Sequence, residues 1–373
     1  MILNAYYLNG SVFSVVPRHV REDFRWMADH GTGAVSISMY ENDLGNRQHW
    51  DLLFGEAARA GLQVYAVPSR WGGLVAGWPG APSHFTATHP ETWMLEEDGS
   101  PNFRAIWGPM SSVHHPATME FFERCLDRVL EYPVAGIIWD EVKTLSHPDF
   151  SPAARSKMPP GAGPDWHVDA TAAFFDAAGA FARRRRPGLV ISMFLYSWYE
   201  GYPVERCARI AALDYFGCDG RPWTSEEDRR LHGGREKPKV LVPTLGRWIA
   251  AARAAGKGAF VLIETQREPP ESYAIVDRRL PEVLAYGAEH VAYYYYGRDL
   301  QDPDRLMAIQ GRHLKALRGR RPWGRRLSGD GRRTRASTGR SLLHGAGSCS
   351  RDLTWRALWR RHTGPESRRW RSC

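Results

Sequence analysis

The 373-residue sequence has few cysteines and no long apolar run. Its five cysteines are scattered without a C-x-x-C pair, which argues against a disulfide framework or a zinc site and predicts free thiols. No apolar stretch approaches the roughly 18 residues of a membrane helix, and no charged leader precedes the first strand-like run at Ile2. We therefore expect a cytoplasmic protein without a membrane partner. The Arg- and Ala-rich usage suggests a bacterial origin.

Three motifs that would indicate other chemistry are also missing. No G-x-G-x-x-G follows the first strand-like run, so a doubly wound open sheet, the alternative architecture, is disfavoured. No H-x-H ends that run, which disfavours a barrel metallohydrolase, and we expect no bound metal or other cofactor. The segment ETQREPPES is acidic and proline-rich where a phosphate site needs backbone donors, so we expect no phosphate-binding turn.

The net charge of +9 is distributed unevenly along the chain. From Arg318 to the end, 16 arginines accompany three acids, a net charge of +13, so residues 1–317 carry −4. The end of the chain is rich in Arg, Gly and Ser, which predicts a disordered basic tail over 317–373. Clustered arginine can contact nucleic-acid phosphates, so a nucleic-acid-associated protein working through this tail is one alternative, although charge runs are weakly specific.

Residues 1–316 alternate short β-like runs with amphipathic helical stretches. Most of the runs are continuously apolar or aromatic, as strands covered on both faces are. They lie at 2–8, 34–40, 63–69, 134–140, 189–196, 213–218, 258–264 and 290–296. Eight such units predict an α/β fold, a (β/α)8 TIM barrel, whose typical length is about 250 residues. The surplus length falls in long βα loops after strands 3, 4 and 6.

Acidic residues stand where two of these strands end. AGIIWDEVK places Asp140 and Glu141 at the end of strand 4, and GAFVLIETQ places Glu264 at the end of strand 7. The carboxyl ends of the strands are where barrel active sites are built. Strands 4 and 7 lie across the ring from each other, so these carboxylates are predicted to face one another. Glycoside hydrolysis requires two such groups, one to protonate the leaving oxygen and one to attack or to activate water.

This arrangement resembles the large clan of retaining (β/α)8 glycoside hydrolases, clan A. The resemblance covers residues 1–316, and the WDE of strand 4 is also similar to that of uncharacterised glycosidase-like proteins. By position it implies Glu141 as general acid/base and Glu264 as nucleophile in cleaving an O-glycosidic bond of an oligosaccharide or glycoside. The clan most often has Asn before the acid. Asp140 therefore either replaces that Asn on a sugar hydroxyl or is itself the reactive acid.

Polar and aromatic residues near other strand ends complete the predicted carbohydrate site. A sugar needs hydrogen-bond partners for its hydroxyls and a ring against its C–H face. The predicted substrate-binding residues are Asp219, Tyr296, Arg298, Trp71, Trp198, Tyr196 and Trp223. Alternation along strand 8 also predicts that Tyr294 and Tyr296 share one face. Core or rim packing is the alternative for the aromatic residues. A carbohydrate-binding barrel without catalysis is the alternative for the whole site.

Overall fold

A computed structural model describes residues 1–7, 16–77, 81–102, 107–234 and 237–317. The chain divides into two units, Met1–Gly324 and Arg325–Cys373, and the second lies outside the described residues. The predicted tail also lies outside them from residue 318 onward, while Leu317 is the last residue of a helix. Within the described ranges, no helix has both the length and the apolar composition that crossing a membrane requires.

Eight parallel strands close into a barrel in chain order, with β1 pairing both β2 and β8. The strands are β1 Ile2–Tyr7, β2 Ala34–Tyr40, β3 Gln63–Ser69, β4 Gly136–Asp140, β5 Val190–Tyr196, β6 Tyr215–Gly220, β7 Gly258–Ile263 and β8 His290–Tyr295. This topology confirms the predicted (β/α)8 fold. Every predicted strand is present, and each of its ends lies within two residues of the prediction.

Helices connect the strands around the outside of the barrel. The described helices are α1 Pro17–Asp29, α2 Arg47–Arg59, α3 His84–Thr88, α4 Pro116–Leu130, α5 Pro152–Arg155, α6 Pro164–Arg185, α7 Tyr202–Ala208, α8 Ser225–His232, α9 Leu245–Ala254, α10 Tyr273–Ala285 and α11 Pro303–Leu317. Gly61, Gly256 and Gly287 follow α2, α9 and α10 with positive φ angles, the left-handed stop that glycine adopts without strain. They turn the chain into β3, β7 and β8.

The inside of the barrel is an apolar layer of its own. Its buried residues are Tyr6, Ala34, Tyr65, Val67, Ile138, Phe194, Phe260, Leu262, Ala292 and Tyr294. Because side chains alternate along a strand, the residue two positions beyond an inward one also points inward. Ile138 and Leu262 are therefore followed on the inner face by Asp140 and Glu264. The alternation that places the core residues inside the barrel therefore also places these two acids at its carboxyl end.

A small polar layer closes the interior at the opposite end. His290, the first residue of β8, lies beside the Asn4 amide at 3.2 Å and the Ser192 hydroxyl at 3.4 Å. Burial lowers the pKa of this imidazole to about 3. The ring packs edge-on against Tyr65 and Phe260, so it is held as a neutral part of the core.

Candidate active site

Two acids meet at the carboxyl end of β4. Asp140 is the last residue of the strand and follows Ile138 on the inner face. In an extended chain Glu141 would then point outward, but its backbone is left-handed, with a φ of 42°. That conformation is strained in a residue other than glycine. It breaks the alternation, and both acids line the same cavity.

Left-handed backbone recurs around this end of the barrel. Besides Glu141, the described non-glycine residues with positive φ are Arg70, Arg267, Tyr296 and Asp299. All of them follow β3, β4, β7 or β8 at its carboxyl end. Strained residues cluster at functional sites when the surrounding structure holds them in place. Their distribution marks the same end of the barrel as the acids do.

Acids from two further strands complete a carboxylate cluster. Glu264 directly follows β7 and is 4% exposed, and Asp219 lies within β6 and is fully buried. One carboxylate oxygen from each of Glu141, Asp219 and Glu264 lies within 4.8 Å of the others. Carboxylates this close repel one another unless protons or cations offset their charge. The structure thus brings together three of the predicted site residues, with Asp140 beside them.

Lys239 supplies one of the cations in this cluster. Its Nζ donates to Glu141 Oε1 at 2.5 Å, to Asp219 Oδ2 at 2.6 Å and to Glu264 Oε1 at 2.9 Å. The Lys239 carbonyl accepts from the Arg221 N–H at 2.9 Å, which holds this segment beside the end of β6. Lys239 was not predicted from the sequence, because it lies in an irregular segment between α8 and α9 and belongs to no motif.

Lys143 is a second cation, bound to the other oxygen of Glu141. Its Nζ donates to Glu141 Oε2 at 2.6 Å and to the hydroxyl of Tyr196 at the end of β5. Both Glu141 oxygens therefore contact an ammonium group. The Nζ atoms of Lys143 and Lys239 lie 4.4 Å and 4.6 Å from the centroid of the Tyr196 ring. Tyr196 thus holds both cations next to the acids.

These charges determine where the protons lie. Burial opposes ionisation of Glu141, but Lys143 and Lys239 outweigh it and hold the pKa of its carboxyl well below the usual range. Burial raises the pKa of Asp219 far above its usual range, and Glu141 adds to this shift against the opposing charge of Lys239. Asp219 Oδ1 accepts no hydrogen bond from described residues, which fits a protonated carboxyl that donates to Glu141. The two shifts have opposite directions, so Glu141 ionises more readily than Asp219.

Asp140 holds a further exchangeable proton. Burial, followed by the charge of Glu141, raises the pKa of Asp140 to about 7. The hydroxyl of Tyr6 donates to its Oδ2, and burial raises the pKa of that phenol well above its usual range, so the hydroxyl remains a donor. Asp140 therefore changes its charge near neutral pH, beside a glutamate that is already ionised.

The three clustered carboxylates could also hold a metal ion. Carboxylate oxygens suit Mg²⁺ or Ca²⁺. An ion bonded to Glu141, Asp219 and Glu264 together would occupy the position of the Lys239 ammonium, which contacts all three. Ammonium and metal are therefore alternatives at this point, and the contacts of Lys239 favour the ammonium.

A cavity of about 290 Å³, called the smaller cavity below, adjoins the acids. Of the predicted substrate-binding residues, Tyr196 and Arg298 line it, whereas Trp198 lines an adjoining cavity. Arg298 donates to Gln266 Oε1 at 2.7 Å and 2.9 Å, and the amide of Gln266 lies 3.5 Å from Glu264 Oε1. Arg298 therefore orients an amide against the acid of β7.

Two predicted tryptophans lie in the core instead of the cleft. Trp71 and Trp223 are both fully buried. The Trp71 indole donates to the Met39 carbonyl at 2.8 Å, and the Trp223 indole donates to Asp228 Oδ1 at 3.2 Å. Their N–H groups are thus satisfied inside the protein, as the packing alternative for these aromatic residues predicts.

Tyr296 also lies away from the cavities. It follows the last residue of β8, has a φ of 49° and is 41% exposed, and its hydroxyl donates to Asp304 Oδ1 at 2.6 Å. The left-handed turn ends the alternation of the strand, so Tyr296 does not share the inner face with Tyr294. Tyr294 lines the smaller cavity, and its hydroxyl accepts from Gln266 at 3.4 Å.

Comparison with known proteins identifies the fold. At the level of sequence, neither a protein-family model nor a curated protein matches this chain. Among solved structures, it is similar to a β-galactosidase from the psychrophilic Marinomonas ef1, with a TM-score of 0.57 and 12% identity. The match covers 85% of this chain and 62% of the β-galactosidase, so the chain spans less than two thirds of that enzyme.

Two further structures match over nearly their whole length. The catalytic domain of a β-amylase from Paenibacillus polymyxa has a TM-score of 0.58 at 11% identity, covering 84% of this chain and 98% of the domain. An endo-1,4-β-mannanase from Rhizomucor miehei has a TM-score of 0.57 at 9% identity, covering 84% of this chain and 95% of the mannanase. The chain shares the fold of these enzymes. At such identities the likeness extends to the (β/α)8 barrel, and activity must be argued from the site itself.

Proposed function

We propose that this protein is a glycosidase that cleaves an O-glycosidic bond of an oligosaccharide or glycoside with two carboxylates and retention of configuration. The observation that carries the proposal is the convergence of Glu141 and Glu264, whose nearest oxygens lie within 4.8 Å at the mouth of the barrel. Retaining sites separate their carboxyl groups by about 5–5.5 Å, whereas inverting sites need about 6.5–9.5 Å to hold a water. The close approach supports retention.

In the proposed mechanism, Glu264 is the nucleophile. One of its oxygens attacks the anomeric carbon while the bond from that carbon to the leaving oxygen breaks, and the leaving oxygen takes a proton from Glu141. Water then attacks the glycosyl-Glu264 ester, giving its proton to Glu141 and releasing Glu264 as a carboxylate. In this scheme Asp219, whose pKa is raised, shares a proton with Glu141, whose pKa is lowered, so the acid form of Glu141 arises when Asp219 donates that proton.

Lys239 has a defined role in this scheme. In the free protein its ammonium keeps Glu141 ionised and bridges it to Glu264. A sugar held between the two acids must part Lys239 from at least one of them. Where Lys239 leaves Glu141, the loss of its positive charge raises the pKa of Glu141 and moves the shared proton toward it. Substrate binding thus prepares the general acid.

A carbohydrate-binding barrel without catalysis is the second candidate function. The observation that favours it is the occupation of both Glu141 oxygens by lysines at 2.5 Å and 2.6 Å, which also suits a purely structural ion-pair cluster. Under this alternative, sugars bind in the cleft and no bond is cleaved.

Hydrolysis of aryl α- and β-glycosides and of oligosaccharides tests the proposal. Glu141→Gln and Glu264→Gln should each lower kcat by about a thousandfold on a substrate that the wild type cleaves. Glu200→Gln is the matched control, because that acid follows β5 with its side chain 70% exposed and pairs only with Arg247 among described residues. It should retain wild-type activity. Following the anomeric signal of the first product by NMR reports retention or inversion.

The outcomes separate the two candidates. Full activity in either clustered variant would contradict the role given to that glutamate. Sugar binding measured by calorimetry, without turnover of any substrate, would favour the binding protein.

A further inference from the structure

A second cavity, called the larger cavity below, adjoins the smaller one. Its volume is about 460 Å³, within the usual range for ligand sites, and it shares Arg70, Trp107, Lys143 and Tyr196 with the smaller cavity. The two are therefore compartments of one cleft. A ligand with its scissile bond at Glu141 and Glu264 would extend across the shared wall into the larger cavity.

The charged residues of the larger cavity have one sign. Arg70, Lys143 and Lys237 line it together with His147, and none of its lining residues within the described part of the chain is acidic. Lys143 pairs with Glu141 in the smaller cavity. For Arg70 and Lys237, no carboxylate of the described residues lies within salt-bridge distance. Within the described residues, the larger cavity thus carries two cations, Arg70 and Lys237, that no carboxylate pairs with directly. Asp140 and Glu141 of the smaller cavity act on Arg70 over a longer distance.

Arg70 is the most unusual of these cations, because it is buried. The residue is 3% exposed, and its guanidinium lies 4.5 Å from the centroid of the Trp107 ring. Its donors reach three backbone carbonyls, those of Val75, Ala81 and Trp107, at 3.1 to 3.5 Å. Carbonyls satisfy hydrogen bonds without neutralising a charge. A buried cation lacking an acid partner is costly, so this arrangement indicates an anion that binds from the cleft.

Lys237 extends the positive surface over an aromatic stack. Its Nζ lies 4.8 Å from the centroid of the Trp198 ring, which stacks on Tyr196 at 5.2 Å and on Tyr199 at 4.2 Å. Aromatic faces suit the C–H face of a sugar, and a cation beside them suits a charged substituent. The combination matches a sugar unit that carries an oxyanion.

We propose that the larger cavity binds an oxyanion-bearing sugar unit, with a carboxylate or sulfate group held by Arg70 and Lys237. The inference rests on the proposed glycosidase function only for the placement of the cleaved bond in the smaller cavity. The substrate class is therefore an acidic saccharide, and the anionic unit lies next to the bond that is cut. A carboxylate and a sulfate ester present the same oxygen acceptors to arginine and lysine.

Calorimetry with matched ligands tests the inference on the full-length protein. The ligands are methyl glycosides of glucose, galactose and mannose, each compared with its uronic acid and its 6-sulfate at low salt. In at least one series, the anionic member should bind at least tenfold more tightly than the neutral one. Whichever ligand binds more tightly, the uronic acid or the 6-sulfate, identifies the group that supplies the oxyanion. Added salt should reduce the difference.

Two variants locate the effect. Lys237→Gln, at an exposed position, should reduce the ratio of neutral to anionic dissociation constants to threefold or less. Arg70→Lys should reduce it partially, because lysine keeps the positive charge but lacks the planar set of five donors. Lys315→Gln, an exposed lysine at the end of α11, should leave the ratio unchanged. Equal binding of neutral and anionic ligands, or an unchanged ratio in Lys237→Gln, would overturn the inference.

Calorimetry and the hydrolysis assay, run on the same neutral and anionic ligands, separate this inference from the proposed function. If neutral glycosides are hydrolysed with no preference for anionic ones, the inference fails and the glycosidase stands. If anionic sugars bind tightly but none is cleaved, the inference stands and the glycosidase fails. If no saccharide binds or is cleaved, both fail.

Discussion

At the scale of single residues, the site depends on a lysine that joins three acids. Lys239 is largely buried, and although burial opposes its charge, Asp219, Glu141 and Glu264 hold the pKa of its ammonium well above the usual value. The lysine in turn lowers the pKa of Glu141. Removing one partner from such a cluster leaves like charges facing each other without compensation. The protonation of the acids is therefore a property of the group.

Replacing this lysine should change how the site titrates. In Lys239→Met the pKa of Glu141 should rise, because a positive charge that favours its ionised form is gone. The limb of the pH profile of kcat/KM that reports Glu141 should move to higher pH, and NMR titration of ¹³C-labelled glutamate should show the same shift. Lys315→Met is the control. An unchanged profile would argue against any electrostatic role of Lys239.

At the scale of strands, the backbone of β7 approaches Gly217 of β6 so closely that no side chain fits there. Gly217 pairs with Phe194 of β5 and Phe260 of β7, whose rings stack at 5.2 Å with an interplanar angle of 2°. A Cβ atom on Gly217 would lie 1.8 Å from the Phe260 carbonyl oxygen. Only glycine fits here, two residues before Asp219 on the same inner face. The packing below the site thus sets the position of one of its acids.

Gly217→Ala should therefore destabilise the barrel. We expect the free energy of unfolding to fall by about 3 kcal/mol or more, because strand backbone must move to admit the methyl group. Gly55→Ala in α2 is the matched control: no atom lies within 4 Å of its added Cβ, and alanine favours helices by about 0.5–1 kcal/mol. Urea unfolding of both variants measures the difference. Equal stability of the two would show that β6 can shift without cost.

Sequence predicted the elements better than the contacts between them. Buried strands in parallel barrels are continuous apolar runs, so all eight were visible, and the acids that end β4 and β7 interrupt that pattern. In the sequence, Tyr296 continues the alternation of β8. In the structure, the loop after β8 holds its backbone in a left-handed conformation, and its hydroxyl contacts Asp304. Tryptophan is a residue type that stacks on sugar rings, but Trp71 is buried in the core. Only tertiary structure separates these cases.

The role of Lys239 was even harder to predict from the sequence. Its role comes from the pairing of its carbonyl with Arg221, a contact between a loop and the end of β6 that no local pattern encodes. Lys143 could have been predicted from the sequence, since it follows Glu141 by two residues. Its contact with Tyr196 across the cleft could not have been predicted.

At the scale of the whole molecule, the two ends of the barrel interior differ in their response to pH. His290 at the closed end is neutral when folded, since burial lowers its pKa from the usual value of 6.5 to about 3. The unfolded chain binds a proton at this residue below about pH 6.5, whereas the folded chain does so only near pH 3. This residue therefore stabilises the fold less as the pH falls through that window.

His290→Gln isolates this contribution. The variant should be less stable than the wild type at pH 7, by about 1–3 kcal/mol, because core packing is lost. The difference should shrink below pH 6.5 at up to about 1.4 kcal/mol per pH unit, since only the wild type must keep an imidazole neutral. Urea unfolding between pH 4 and 7 measures it, with the exposed His84→Gln as control. A constant difference would mean that the pKa of His290 is the same in the folded and the unfolded chain.

Glycine turns and strained residues divide the barrel into two ends. Arg70, Glu141 and the other left-handed non-glycine residues follow strands, whereas Gly61 and Gly287 lead into strands at the other end, where an added Cβ atom would meet open space. A chain circularly permuted at Gly61 or Gly287 would keep every strand-end acid in its native loop. The same turns are suitable for attaching the protein to a solid support, because the cleft then faces the solution.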